Sequence, residues 1–167
     1  FMDSRSNYSQ GKNNQRERRF SEPPIQQSKV LDNLLQASPI PTFMIDNDHR
    51  IIYWNRALEE LSGIRASQVI GSRQHWRAFY ADKRPCMADL LVAEAYEGIE
   101  RWYAGKYKKS NLVHEAYEAL DFFPALNLNG KWIRFTAAAV RDSDGSLIGA
   151  VETLEDISER RNAEQAL

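Results

Sequence analysis

Thr42-Phe43-Met44-Ile45-Asp46, then Asn47-Asp48-His49, then Arg50-Ile51-Ile52-Tyr53-Trp54-Asn55-Arg56-Ala57 is the stretch that decides the fold. Two short runs of apolar, β-branched and aromatic residues flank a polar turn, which is the pattern of a β-hairpin. Asn55 follows at once and suits a helix N-cap. Ala57, Leu58, Leu61 and Ile64 then recur at helical spacing, and Gly63 suits the helix end.

Upstream, Val30, Leu31, Leu34 and Leu35 form one apolar stripe, predicting a helix over 28–38 that Pro39 and Pro41 terminate. Residues 1–27 carry few apolar side chains and no periodicity, so a disordered tail or linker is expected. Downstream, Ser67–Gly71 reads as a short helical turn, and 72–86 as irregular. Met87, Leu90, Leu91, Ala95, Ile99 and Trp102 share one face, predicting a single helix from Cys86 to about Tyr103. A polar connection follows over 106–116. Three strands are then expected, over 117–127, 131–140 and 146–154. Asn129-Gly130 is a tight-hairpin signal between the first two, and Asp142-Ser143-Asp144-Gly145 a turn between the last two. Asp156 with Glu159 three residues later reads as a capping box opening a last helix. Segregated strands around a helical insert mean an α+β fold with a five-stranded antiparallel sheet, helices on one face and flanking N- and C-terminal helices.

Among 167 residues, 43% are hydrophobic, enough for an ordinary core without staples. One cysteine, Cys86, excludes an intrachain disulfide framework and a cysteine-based zinc site. A net charge of −1 gives no reason to expect nucleic acid as a partner. The longest apolar runs are far short of the ~20 residues that span a bilayer, and no signal-peptide core is visible, so a cytoplasmic location is expected, with a membrane anchor possible elsewhere in a larger parent.

The chain resembles a PAS, or sensory box, domain. The likeness rests on Leu34-Leu35-Gln36-Ala37-Ser38-Pro39, Phe43-Met44-Ile45-Asp46, Ile51-Ile52-Tyr53-Trp54-Asn55-Arg56-Ala57, Leu61-Ser62-Gly63, Asp142-Ser143-Asp144-Gly145-Ser146-Leu147-Ile148-Gly149 and Glu155-Asp156-Ile157-Ser158-Glu159-Arg160-Arg161. The last is similar to the family's Asp-Ile-Thr exit motif, with Ser for Thr. Residues 28–155 would be the sensor domain, and 156–167 the start of the exit helix. The resemblance implies a ligand cleft between helices and sheet and a bacterial-type signalling parent, of the two-component histidine kinase or diguanylate cyclase type, whose covalently linked output domain follows this chain. Asp156, Ile157 and Ser158 would relay the signal, and self-association would use Leu31, Leu34 and Leu35 at one end and Ile157, Glu164 and Leu167 at the other. The stretch between Gly71 and Tyr117 departs from the compact family pattern.

Candidate ligand-binding residues are Trp54, Trp76, Phe79, Tyr80, Arg84 and Arg134. Aromatic walls suit an apolar body, and a guanidinium suits a carboxylate or phosphate. Residues 72–91 are expected to line or cover the cavity mouth, with Trp76, Tyr80 and Arg84 nearest a ligand. The sequence lacks the Asn-Cys-Arg-type motif of flavin-binding relatives. Of the histidines, His49 in the hairpin turn is expected to be solvated, while His75 and His114 flank the insert and could reach a cavity. A lone histidine is more often a hydrogen-bonded structural residue, so neither haem nor flavin is expected. No metal ligands are assigned, because no His, Cys or carboxylate pair has a familiar spacing. Asp82 and Asp89 are read as acids without partners. There is no phosphate loop or nucleophile elbow, so no catalytic residue and no enzymatic activity are expected of this chain. The rival readings are a ligand-free dimerisation module and a haem or flavin redox sensor.

Overall fold

The computed structural model describes residues 24–166, with side chains from Lys29 onward. Helix α1 spans Pro24–Ala37, so it starts before the expected residue 28, and Pro24 sits at its first position, where its missing N–H costs nothing. The rest of the expected tail, 1–23, lies outside the described residues.

The expected hairpin forms as β1 (Thr42–Asp46) and β2 (Ile51–Trp54). It leads into α2 (Arg56–Ser62) and the short α3 (Ala66–Val69). A 3-10 turn at His75–Ala78 precedes α4 (Met87–Val92) and α5 (Glu97–Tyr103). Strands β3 (Tyr107–Lys109), β4 (Ala116–Phe123), β5 (Lys131–Arg141) and β6 (Leu147–Asp156) complete the sheet, and α6 (Ser158–Gln165) leaves it. The strand order is β2-β1-β6-β5-β4-β3, every neighbour antiparallel. The final strand therefore sits beside the first, at the centre of the sheet.

Four expectations need correction. The sheet has six strands rather than five. The extra one, β3, lies in the segment read as a polar connection, because a three-residue edge strand with exposed lysines carries no apolar alternation. The single helix over 86–103 is two helices. The N–H of Ala95 reaches back to the carbonyl of Leu90 and that of Glu94 to Leu91, with Glu94 left-handed at φ 53°, a Schellman ending that turns α5 away. Asn129-Gly130 is not a two-residue hairpin. Phe123 pairs with Lys131 across a longer loop, in which Pro124 has no N–H for the ladder and Leu126 turns into the core. Finally, Asp156 caps without a capping box: its carboxylate accepts the Ser158 N–H, and Ile157 holds the N-cap position.

Asn55 is the knot of the N-terminal half. Buried, it caps α2 by accepting the Leu58 N–H at 3.0 Å, and accepts the Thr42 N–H at 2.9 Å. Its amide donates to the carbonyls of Leu35 and Ile40. One side chain thus ties α1, β1 and α2 together. At the centre of the sheet a Cβ on Gly149 would collide with the Ile45 carbonyl, so only glycine permits β6 to lie against β1 there. Phe43, Ile45, Ile133, Phe135, Ala137, Ala150 and Leu154 form the inner face, and α4 packs across β1, β5 and β6 on it.

Candidate functional site

Under the helices, the inner face carries a chain of aromatic rings. Phe43 meets Phe79, Phe79 meets Tyr80 and Phe123, and Phe123 meets Phe135, all with centroids about 6 Å apart. Tyr103 closes the row against Phe135. Arg84 lies over its end. Its guanidinium carbon is 3.9 Å from the Tyr80 ring centre, 4.7 Å from Trp102 and 5.1 Å from Tyr103. These are cation–π distances. No carboxylate lies within ion-pair distance of this cation among the described residues. Its Nη2 is buried and has no hydrogen-bond partner among them, while Nε reaches only the Pro85 carbonyl at 3.3 Å. The Tyr80 and Tyr103 hydroxyls lie 3.4 Å apart in the same region. Burial pushes both phenols upward, so both stay protonated donors.

Glu152 was missed by sequence reasoning. It stands on the inner face of β6 between Ala150 and Leu154, 3% exposed, and accepts the Ala88 N–H of α4. Burial first, then the nearby Asp89 carboxylate, pushes its pKa up to about 8. The signal was there: a carboxylate at a core position of a period-2 pattern. It binds α4 to β6, the strand that runs into α6.

Asp89 has partners after all. One carboxylate oxygen takes His49 Nδ1 at 2.6 Å, and the other takes His75 Nε2 at 2.7 Å and the Cys86 N–H at 2.8 Å. Burial would raise its pKa, but the bonds from His75 and His49 outweigh that and hold the carboxyl below its usual range. His49, expected to be solvated in its turn, is half-buried by this bond, with a left-handed backbone at φ 63°. His114 is exposed and takes no part.

The six ligand candidates separate. Tyr80 and Arg84 meet directly, and Phe79 packs beside Tyr80 within the core. Trp76 is half-buried against that core. Trp54 is buried and donates its indole N–H to the Ile64 carbonyl, a structural bond between β2 and the end of α2. Arg134 does not join them. It alternates with the inward-facing Ile133 and Phe135, so it stands on the outer face, opposite Glu155. There it borders two open grooves of about 570 and 580 Å³.

The family profile described as PAS fold matches residues 35–162. The chain belongs to the PAS fold family. Two solved structures share the fold at 18% identity. The PAS domain of Bordetella pertussis BvgS superposes with a TM-score of 0.54, covering 84% of this chain and 93% of that one. An RNA-binding light-oxygen-voltage receptor gives 0.57, over 86% of this chain but only 37% of its own length. No curated protein matches the sequence.

In this PAS domain the exit motif is a clasp onto β5. The Asp156 carboxylate accepts the Ser158 N–H and faces Lys131 Nζ at 2.9 Å. Burial opposes ionisation there, but the Ser158 and Lys131 contacts prevail and hold the carboxyl below its usual range. Ser158 Oγ accepts the Trp132 N–H, Ile157 N–H donates to the Trp132 carbonyl, and Arg161 lies over the Trp132 ring at 3.9 Å. Ile157, expected to face a second copy, is instead buried and plugs the junction, and Leu167 lies outside the described residues. No helix among the described residues is long and apolar enough to cross a membrane.

Proposed function

We propose that this PAS domain is a non-catalytic sensor that binds a small molecule through Arg84 and passes the signal along β6 to α6 and a linked output domain. One observation carries the reading: a half-buried guanidinium boxed by Tyr80, Trp102 and Tyr103, with a buried N–H that no described residue accepts. An unsatisfied buried donor costs about 1–3 kcal/mol, which a ligand acceptor would recover. The groups around it are donors too: two phenols and the acid form of Glu152. That set favours a ligand with a carboxylate, phosphate or carbonyl head and an apolar body lying on the rings. Trp76 and Phe79 would flank it, whereas Trp54 is structural and Arg134 faces away.

The relay follows from connectivity. Glu152 joins α4 to β6, and four residues further on Asp156 clasps the exit helix. A ligand that moves Arg84 or α4 strains that strand and shifts the population of α6 positions. Self-association through α1 would give α6 a twin to move against. Val30, Leu31 and Leu34 are 58%, 44% and 64% exposed, an apolar stripe left without cover among the described residues.

Thermal-shift screening of small carboxylates, phosphates and ketones tests the pocket, with native mass spectrometry of freshly purified protein to detect a retained ligand. A ligand at a hundred times its Kd stabilises by about 2.7 kcal/mol. Its effect should vanish in Arg84→Met, while the empty variant stays within about 1 kcal/mol of wild type, since it loses cation–π contact but also an unpaired donor. Hits unaffected by Arg84→Met, or no hit and no retained ligand, would favour the ligand-free dimerisation module.

A further inference from the structure

We propose that His75, Cys86 and Asp89 form a binding site for a divalent transition-metal ion of the zinc class, with His49 supporting it from behind. A ring nitrogen of His75, the Cys86 sulfur and a carboxylate oxygen of Asp89 lie within 4.8 Å of one another. The three come from the 3-10 turn and from the beginning of α4, segments that the Asp89 bonds already hold together. His75 and Cys86 are buried, at 2% and 1% exposure.

One observation beside the donor cluster points to a missing ligand. His75 Nδ1 is buried and has no hydrogen-bond partner among the described residues. A buried structural histidine ordinarily satisfies both nitrogens. In the empty site the Asp89 bond holds the proton on Nε2, and the unpartnered Nδ1 is a free lone pair that can take that proton when an ion replaces the bond, leaving Nε2 as the ligand atom. Two anionic ligands and a dication would be neutral together.

A lone cysteine excludes a zinc site built from several cysteines, but a mixed set needs only one thiolate, and the donor set decides the ion. One imidazole nitrogen, one thiolate and one carboxylate suit Zn²⁺ or Co²⁺, with a fourth position left for water, whereas Mg²⁺ and Ca²⁺ take oxygen ligands. On binding, the Cys86 thiol releases its proton to solvent, the Sγ–metal bond forms, and the ion sheds water. The Nε2–Oδ2 contact of 2.7 Å must open to about 3.3 Å, the separation of two ligands at tetrahedral zinc. His49, bonded to the other Asp89 oxygen, is the kind of outer partner that orients a metal-bound carboxylate.

Cobalt is the probe, because a thiolate ligand gives a near-ultraviolet charge-transfer band and tetrahedral geometry gives intense visible absorption. Titrating the chelator-stripped chain with Co²⁺ should produce both bands at one ion per chain, and Zn²⁺ should abolish them by displacement. Cys86→Ala replaces one small buried side chain with another, so it should fold, as circular dichroism will show, and should lose the charge-transfer band. His49→Ala should weaken binding by about 10–100-fold. A folded wild type without a thiolate band at excess Co²⁺, or an unchanged band in Cys86→Ala, would overturn the site.

Discussion

Glu152→Gln should abolish a pH dependence of stability that the wild type owes to one buried acid. Gln keeps the size of the side chain and an oxygen for the Ala88 N–H, but it cannot ionise. In the folded chain Glu152 titrates at about 8, because burial and the neighbouring Asp89 carboxylate penalise its charge, against 4.5 for an ordinary glutamate. Below pH 4.5 the group is protonated whether the chain is folded or unfolded, so it contributes no difference. Between 4.5 and 8 the unfolded chain releases the proton and the folded chain keeps it, so stability falls as pH rises. Above 8 both are ionised and the loss is complete. At about 1.4 kcal/mol per pH unit the full swing is about 5 kcal/mol. Urea unfolding of wild type and Glu152→Gln at intervals from pH 5 to 9, in buffer containing a chelator, measures it. Subtracting the two curves cancels the histidines and every other shared group. The stability of the variant relative to wild type should climb steadily and level off above about pH 8. A flat difference would mean that Glu152 is ionised in the folded chain, and the picture of a donor-lined pocket beside Arg84 would be wrong.

Asn55→Ala removes the α2 cap and strands the Thr42 N–H and two carbonyls, so chemical denaturation should show a loss of about 2–4 kcal/mol. Asp156→Ala should cost about 0.5–2 kcal/mol while leaving binding at Arg84 intact, and in a full-length parent it should disturb output; loss of binding with normal empty-state output would contradict the relay. Glu94→Gly relieves a left-handed residue at the α4 ending and gives up only a surface contact with Arg141 at 3.8 Å, so thermal unfolding should move up by a few degrees, about 0.5–1 kcal/mol.

Much of the framework was legible in the chain because its signals are local. The hairpin at Thr42–Trp54, the Asn55 cap and the Gly63 ending each depend on residues a few positions apart, and each is found as read. The break between α4 and α5 was not legible, because the apolar face continues through it and the left-handed residue is a glutamate, which carries no glycine signal. The short strand β3 was equally hidden, since it exists only by pairing with β4.

The sequence by itself determined the order of elements apart from β3 and the α4–α5 break, the PAS framework, the exit motif and the aromatic and basic character of the 72–91 stretch, all written in spacing and residue type. Only the tertiary structure decided which of those groups meet. Arg84 and Arg134 look alike as arginines beside aromatics, yet one enters a ring box and the other faces outward, because helix packing and strand register set direction. His49, His75, Cys86 and Asp89 are scattered over the chain and converge because the β1–β2 turn, the 3-10 turn and α4 meet at one end of the sheet. Glu152 is a charge among apolar neighbours in the sequence. Its meaning came from burial, which depends on every element packed above it.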